Sequence, residues 1–175
     1  MKVTELETSE YNNYYQMYIE KVPKGVTFSE GFSKGSEAVL NYFKSLPDDK
    51  LNYSYAHGKW TIKEVLQHIV DTERVFSYRC FSIARQDKTP LPGFEQDDYV
   101  APSKANSKSI EDLIEEYEAV RKNSIILVKS LSEADLKCVG TVSGGNMSAR
   151  AAAFIILGHE IHHLDVLKQR YFKSE

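Results

Sequence analysis

The chain has 175 residues, 42% of them hydrophobic and 27% charged, the length and balance of one soluble globular domain over residues 1–175. A net charge of -3 with no clustered Lys/Arg stripe excludes the electrostatic footprint of a nucleic-acid binder, and no apolar run is long enough to cross a membrane. Met1-Lys2-Val3-Thr4-Glu5 lacks the apolar core of a signal peptide, and Cys80 and Cys138 form neither a C-x-x-C pair nor a disulfide framework, so a reducing, cytoplasmic setting is expected.

In chain order, tyrosine-rich residues 8–22 suit a short packing helix. A first long helix is predicted within about residues 28–46, ending before Pro47. The second opens at Thr61-Ile62-Lys63-Glu64, a capping box, and runs to about Arg85. Residues 86–108 carry Pro90, Pro92, Gly93 and Pro102, which rule out a continuous helix and predict a long crossover loop, of the kind that often carries function. A third helix covers about 110–131, with a turn starting at Ser132. Ser143-Gly144-Gly145 then breaks the chain, and Ser148 caps a fourth helix reaching about Tyr171. No convincing pair of alternating strands is seen, so the fold class is all-α.

The fourth helix holds His159-Glu160-Ile161-His162-His163. Imidazoles four apart on a helix lie on one face a turn apart and can converge on one metal ion. At about 100° per residue, Ala152, Ile155, Ile156, His163 and Val166 fall within about 60° of His159, so these two histidines lie in an apolar stripe, while His162 falls to the other side. A second stripe, Phe154, Leu157, Ile161 and Leu164, lies opposite; a contact with a second copy in a homodimer would cover it. The string also fits H-E-x-x-H of the zinc proteases, but Val166 and Gln169 stand where the extended pattern needs Gly and a third His, and Glu160 projects toward a flank. That reading is disfavoured. Buried histidines bonded within a core are the bland alternative.

A metal held by protein needs a third ligand, and His57 and His68 are the upstream choices. His57 lies in the loop before the capping box. His68 sits at the edge of the apolar face of the second helix, in line with Thr72 and Arg79, a row suited to a pocket wall. Asp71 or Glu64 is placed to accept a hydrogen bond from the far ring nitrogen and orient His68.

The stretch Gly58-Lys59-Trp60-Thr61-Ile62-Lys63-Glu64-Val65-Leu66-Gln67-His68-Ile69-Val70-Asp71, with Gly158-His159-Glu160-Ile161-His162-His163 and the loop Thr89-Pro90-Leu91-Pro92-Gly93-Phe94, resembles the DinB-like superfamily, in particular its YfiT-like branch of metal-dependent hydrolases and thiol S-transferases. The resemblance implies an up-down-down-up four-helix bundle with one divalent metal on His68, His159 and His163, His162 being a neighbour. Zinc is the default ion, with nickel or iron as alternatives, since imidazole suits all of them. Three neutral imidazoles leave a coordination position open, the mark of a catalytic site. The expected function is a metal-dependent hydrolase or a transferase using a low-molecular-weight thiol, acting on a small molecule, with Arg79 receiving an anionic group and Asp71 orienting His68. The alternative is a non-catalytic metal- or ligand-binding stress-response protein.

Overall fold

The computed structural model describes residues 1–171. Short 3-10 turns over residues 3–15 lead into α1 (Gln16–Ile19), followed by α2 (Phe28–Lys44), α3 (Ile62–Ala84), α4 (Asp97–Ser103), α5 (Ile110–Ser130) and α6 (Glu133–Leu136). A hairpin of β1 (Val139–Val142) and β2 (Gly145–Ser148) precedes α7 (Ala149–Val166), whose last turns widen into a π-helix over Leu167–Tyr171.

The long helices start where their caps dictate. Thr27 and Glu30 form a capping box at α2, and Thr61 and Glu64 form one at α3, where the Thr61 amide donates to Glu64 Oε2 at 2.7 Å. Ser109 caps α5, and the fully buried Ser148 caps α7 by accepting the Ala151 amide at 3.0 Å.

Cross-helix pairs fix the topology. Lys63 reaches Lys108, Glu73 meets Arg121 and Ser77 meets Ser124, numbers rising together, so α3 and α5 run parallel. Phe28 stacks on Phe154 and Gly35 abuts Glu160, so α2 and α7 are also parallel, while His68 beside His163 and Thr72 near His159 set α3 against α7. The result is an up-down-down-up four-helix bundle, in which the parallel α3–α5 pair requires the long crossover. That crossover is not bare loop: it contains α4, with Pro102 inside its last turn.

α7 is the central element. Its residues from Ala149 to Glu160 are all buried, and Ala149, Ala151, Ala152 and Ala153 let neighbouring helices approach closely. Of the stripe Phe154, Leu157, Ile161 and Leu164, expected to face a second copy, Phe154, Leu157 and Leu164 are buried inside the chain, Phe28 of α2 stacking on Phe154 with centroids 4.1 Å apart, and Ile161 is half-buried. Most of the stripe that motivated a homodimer is thus used within the chain. The hairpin is a second departure from the sequence expectation. Ser143 and Gly144, both at positive φ (51° and 78°), close a two-residue turn, pairing Val142 with Gly145 and Val139 with Ser148. Leu91 of the crossover bridges to this hairpin through Leu91 N to Thr141 O and Ser143 N to Leu91 O, both 2.9 Å.

The core has two halves. One contains Phe28, Phe32, Phe76, Phe154 and Leu157; the other contains Val39, Phe43, Leu66, Ile69, Leu113 and Leu164. In sequence, each long helix passes from one half to the other through polar or small residues: Gly35 on α2, Thr72 and Glu73 on α3, Arg121 and Ser124 on α5, His159 and Glu160 on α7. A buried polar belt therefore crosses the middle of the bundle.

Candidate metal centre

His68 enters the belt from α3, and His159 and His163 enter from α7, one turn apart. The His159 Nε2 atom lies 2.9 Å from His68 Nε2 and 3.0 Å from His163 Nε2. All three ligand atoms fall within 4.8 Å of one another, and among the described residues this is the group able to hold a metal ion. One ring nitrogen facing two others has a single lone pair or a single proton to offer, so hydrogen bonding satisfies the trio poorly. A cation at their convergence satisfies all three lone pairs. The donor set fits a divalent ion that accepts imidazole.

Protonation favours the same role. Burial pushes His68 down to about 4, with the nearby His162 adding to the shift. Burial likewise holds His159 and His163 well below the ordinary histidine range, reinforced by the neighbouring imidazoles. Neutral rings are the ligand-competent form.

The surroundings of the trio differ from the sequence expectation in one respect. Asp71 does not reach His68: its Oδ1 accepts from Gln67 Nε2 and from Arg74 Nη1, both at 3.1 Å, at the edge of a surface network with Glu116 and Lys108. Glu64 is committed to the α3 cap and to Asn106. Residue 71 is three positions from His68 and leans off its line, whereas Thr72, four positions on, lies above it and brings Oγ1 to 3.5 Å from His68 Nδ1, a long contact. His57 is exposed in its loop, and the His162 ring packs edge-on against Tyr18 and His163, outside the converging nitrogens.

Two aromatic residues that sequence reasoning left without a role enclose the trio. The Trp60 ring, on the residue before the α3 cap, stands 4.7 Å from His68 and stacks at 6.5 Å on His163. Tyr18 packs its edge 5.2 Å from His159. Gly158 permits that contact, because a Cβ there would collide with the Tyr18 backbone carbonyl. The glycine beside the first histidine thus seats the N-terminal segment against the site.

Next to His159 along the belt, Glu160 is buried and turned the other way. Its carboxylate accepts from Tyr117 Oη at 2.6 Å and from Arg121, whose Nη2 also donates to Glu73 at 2.8 Å. Burial pushes Glu160 up, opposed by Arg121 and Tyr117; burial works against the Arg121 charge, but the Glu160 and Glu73 carboxylates hold it firmly protonated. The H-E-x-x-H glutamate is consumed by this structural cluster.

A cleft of about 320 Å³ opens beside the trio. His159, Thr72, Phe76 and Arg79 form its floor, Tyr15 and Tyr18 one wall, and Phe94 of the crossover another. Of the expected row, Thr72 and Arg79 line this cleft, whereas His68 lines a separate small cavity with Asp71 and Tyr99; the proline-rich crossover contributes Gly93, Phe94 and Gln96 to the cleft.

The fold and site define an all-α bundle of four long helices with a three-histidine cluster across two of them. Residues 32–167 match the model of the DinB superfamily, and the chain belongs to that family. A protein of Oceanobacillus iheyensis named as a metal-dependent hydrolase is 28% identical over 157 residues, covering 85% of this chain and 89% of that protein. One of Geobacillus thermodenitrificans with the same type of name is 28% identical over 58% of this chain and 57% of its own. Among solved structures, YfiT from Bacillus subtilis, described as a metal-dependent hydrolase with an unusual four-helix bundle topology, superposes with a TM-score of 0.66 at 16% identity, over 95% of this chain and 92% of that one. A mycothiol-dependent maleylpyruvate isomerase superposes with a TM-score of 0.64 at 13% identity, over 81% of this chain and 61% of that one. At these identities the two structures speak for the fold, which is YfiT-like.

Proposed function

We propose that the protein is a metal-dependent enzyme in which His68, His159 and His163 hold one divalent ion, zinc by default and nickel or iron as alternatives. Its reaction is hydrolysis or transfer of a low-molecular-weight thiol, on a small molecule. The observation that carries the reading is the convergence of three neutral imidazole nitrogens from two helices, with His68 and His159 buried, His163 half-buried and His159 lining a cleft. An ion with three protein ligands keeps an open position and supplies Lewis acidity to water or to a thiolate. The chain's own groups do the remaining work. Trp60 and Tyr18 cover the imidazoles and exclude bulk water, and Thr72 stands at the far nitrogen of His68. The thiol alternative draws on the relative named as mycothiol-dependent, and the hydrolase alternative on the curated relatives.

Metal content by mass spectrometry on untagged protein tests the reading, comparing wild type with His68→Ala and His163→Ala. About one ion per chain in wild type, lost in both variants while helical circular dichroism persists, is the expected result. A wild type that takes up no ion after reconstitution, or variants that retain it, would overturn the site. A loaded protein inactive across hydrolysis and thiol-conjugation screens would favour a metal-binding stress-response protein instead.

A further inference from the structure

Arg79 sits on the floor of the cleft and is 2% exposed. The other buried arginines are balanced: Arg121 by Glu73 and Glu160, and Arg150 by Glu10. Among the described residues no carboxylate lies within ion-pairing distance of Arg79. Its Nη2 donates to the Pro92 carbonyl at 3.0 Å, and its guanidinium lies 4.8 Å from the Phe76 ring centroid and 5.6 Å from that of Phe94. The Tyr15 side chain also accepts from the guanidinium and Tyr99 acts on it electrostatically, yet Nη1 is buried with no hydrogen-bond partner. A guanidinium does not lose its proton in a protein, so this is a permanent buried charge with an unused donor. Leaving such a charge unpaired is costly, and the fold avoids that cost at its two other buried arginines.

Arg79 follows His68 by eleven residues, three turns and roughly 16 Å along α3, on the same line. Thr72 and Phe76 fill the row between them. A ligand in the cleft therefore meets a cation at one end, aromatic walls along its body and the imidazole cluster at the other end. One guanidinium balances one negative charge, and Glu95 stands exposed on the rim, so a dianion is poorly matched.

We infer that the cleft binds an elongated organic carboxylate with an apolar or aromatic body, its carboxylate paired with Arg79 and its opposite end presented to His159. Nη1 is shielded from water, so the incoming carboxylate shifts the half-buried Phe94 ring to reach it. As a statement of substrate class this rests on the metal-centre reading; as a statement of binding it does not.

Calorimetric titration of EDTA-treated, metal-free protein with 4-phenylbutyrate and its neutral amide, 4-phenylbutyramide, separates the two. The acid is expected to bind at least about ten-fold more tightly than the amide, the size of one charge-assisted pair. Arg79→Gln brings the two ligands within about two-fold, Arg79→Lys retains part of the preference, and His68→Ala keeps it, even where metal binding is lost. Equal binding of acid and amide by wild type, failure of both to bind, or a preference surviving in Arg79→Gln would overturn the inference. If Arg79→Gln fails to fold by circular dichroism, the wild-type comparison decides alone.

Discussion

The identity of single residues in the polar belt decides what each part of the bundle can do. His159 and Glu160 are adjacent in sequence and point in different directions, one to the imidazole cluster and the other to Arg121 and Tyr117. Arg121 binds two buried carboxylates through one guanidinium, so removing it leaves both without a counterion. Arg121→Met should lower the unfolding free energy by about 3–5 kcal/mol in urea denaturation. A loss below about 1 kcal/mol would mean that water reaches these carboxylates and that the cluster does not organise the centre of the bundle. His159 and His163 could be read in the sequence because their spacing and their place in an apolar stripe are local properties of one helix. The Arg121 cluster could not, since its members come from three helices and each alone reads as a charged residue on a helix surface.

At the scale of elements, caps locate the site. The Thr61–Glu64 box fixes where α3 begins, and with it the turn on which His68 faces α7; Thr61 Oγ1 also donates to Asn106 Oδ1 at 2.7 Å, tying the helix start to the end of the crossover. Thr61→Ala is expected to cost about 1 kcal/mol in thermal or urea unfolding, with metal stoichiometry retained. An unchanged midpoint would show that packing alone sets this boundary. Such boundaries were legible because capping is local chemistry. The hairpin before α7 was not: two four-residue strands joined by Ser143-Gly144 are too short to show a period, and they persist because Leu91 hydrogen-bonds alongside β1. The short α4 within a proline-bearing crossover escaped for the same reason.

For the whole molecule, the three clustered imidazoles couple stability to pH. Unfolded histidine titrates near 6.5, whereas folded His68 is pushed down to about 4, and His159 and His163 are pushed down as well. Above pH 6.5 both states are neutral there and nothing is gained or lost. Below it the unfolded chain binds protons that the folded chain refuses, so stability falls as pH drops, through the window from 6.5 to about 4 for His68. Each imidazole contributes a slope approaching 1.4 kcal/mol per pH unit within its window. Urea unfolding of metal-free protein at pH 7, 6 and 5 should show this decline, and His163→Asn should lessen it; a flat profile from pH 7 to 5 would contradict burial of the neutral rings.

The helical class, the main breaks, the capping residues that start α3 and α7 and the pairing of His159 with His163 are written in the chain, because periodicity, caps and i,i+4 spacing act within one segment. The same periodicity marks His68, Thr72 and Arg79 as one row. Packing settles that α2 covers Phe154 and Leu157 of the second stripe of α7, that Asp71 serves Arg74 rather than His68, and that Trp60 and Tyr18 enclose the histidines. It alone leaves Arg79 buried without an acid. Each of these depends on which distant segment occupies the space beside a side chain, and that is set by packing the whole bundle at once.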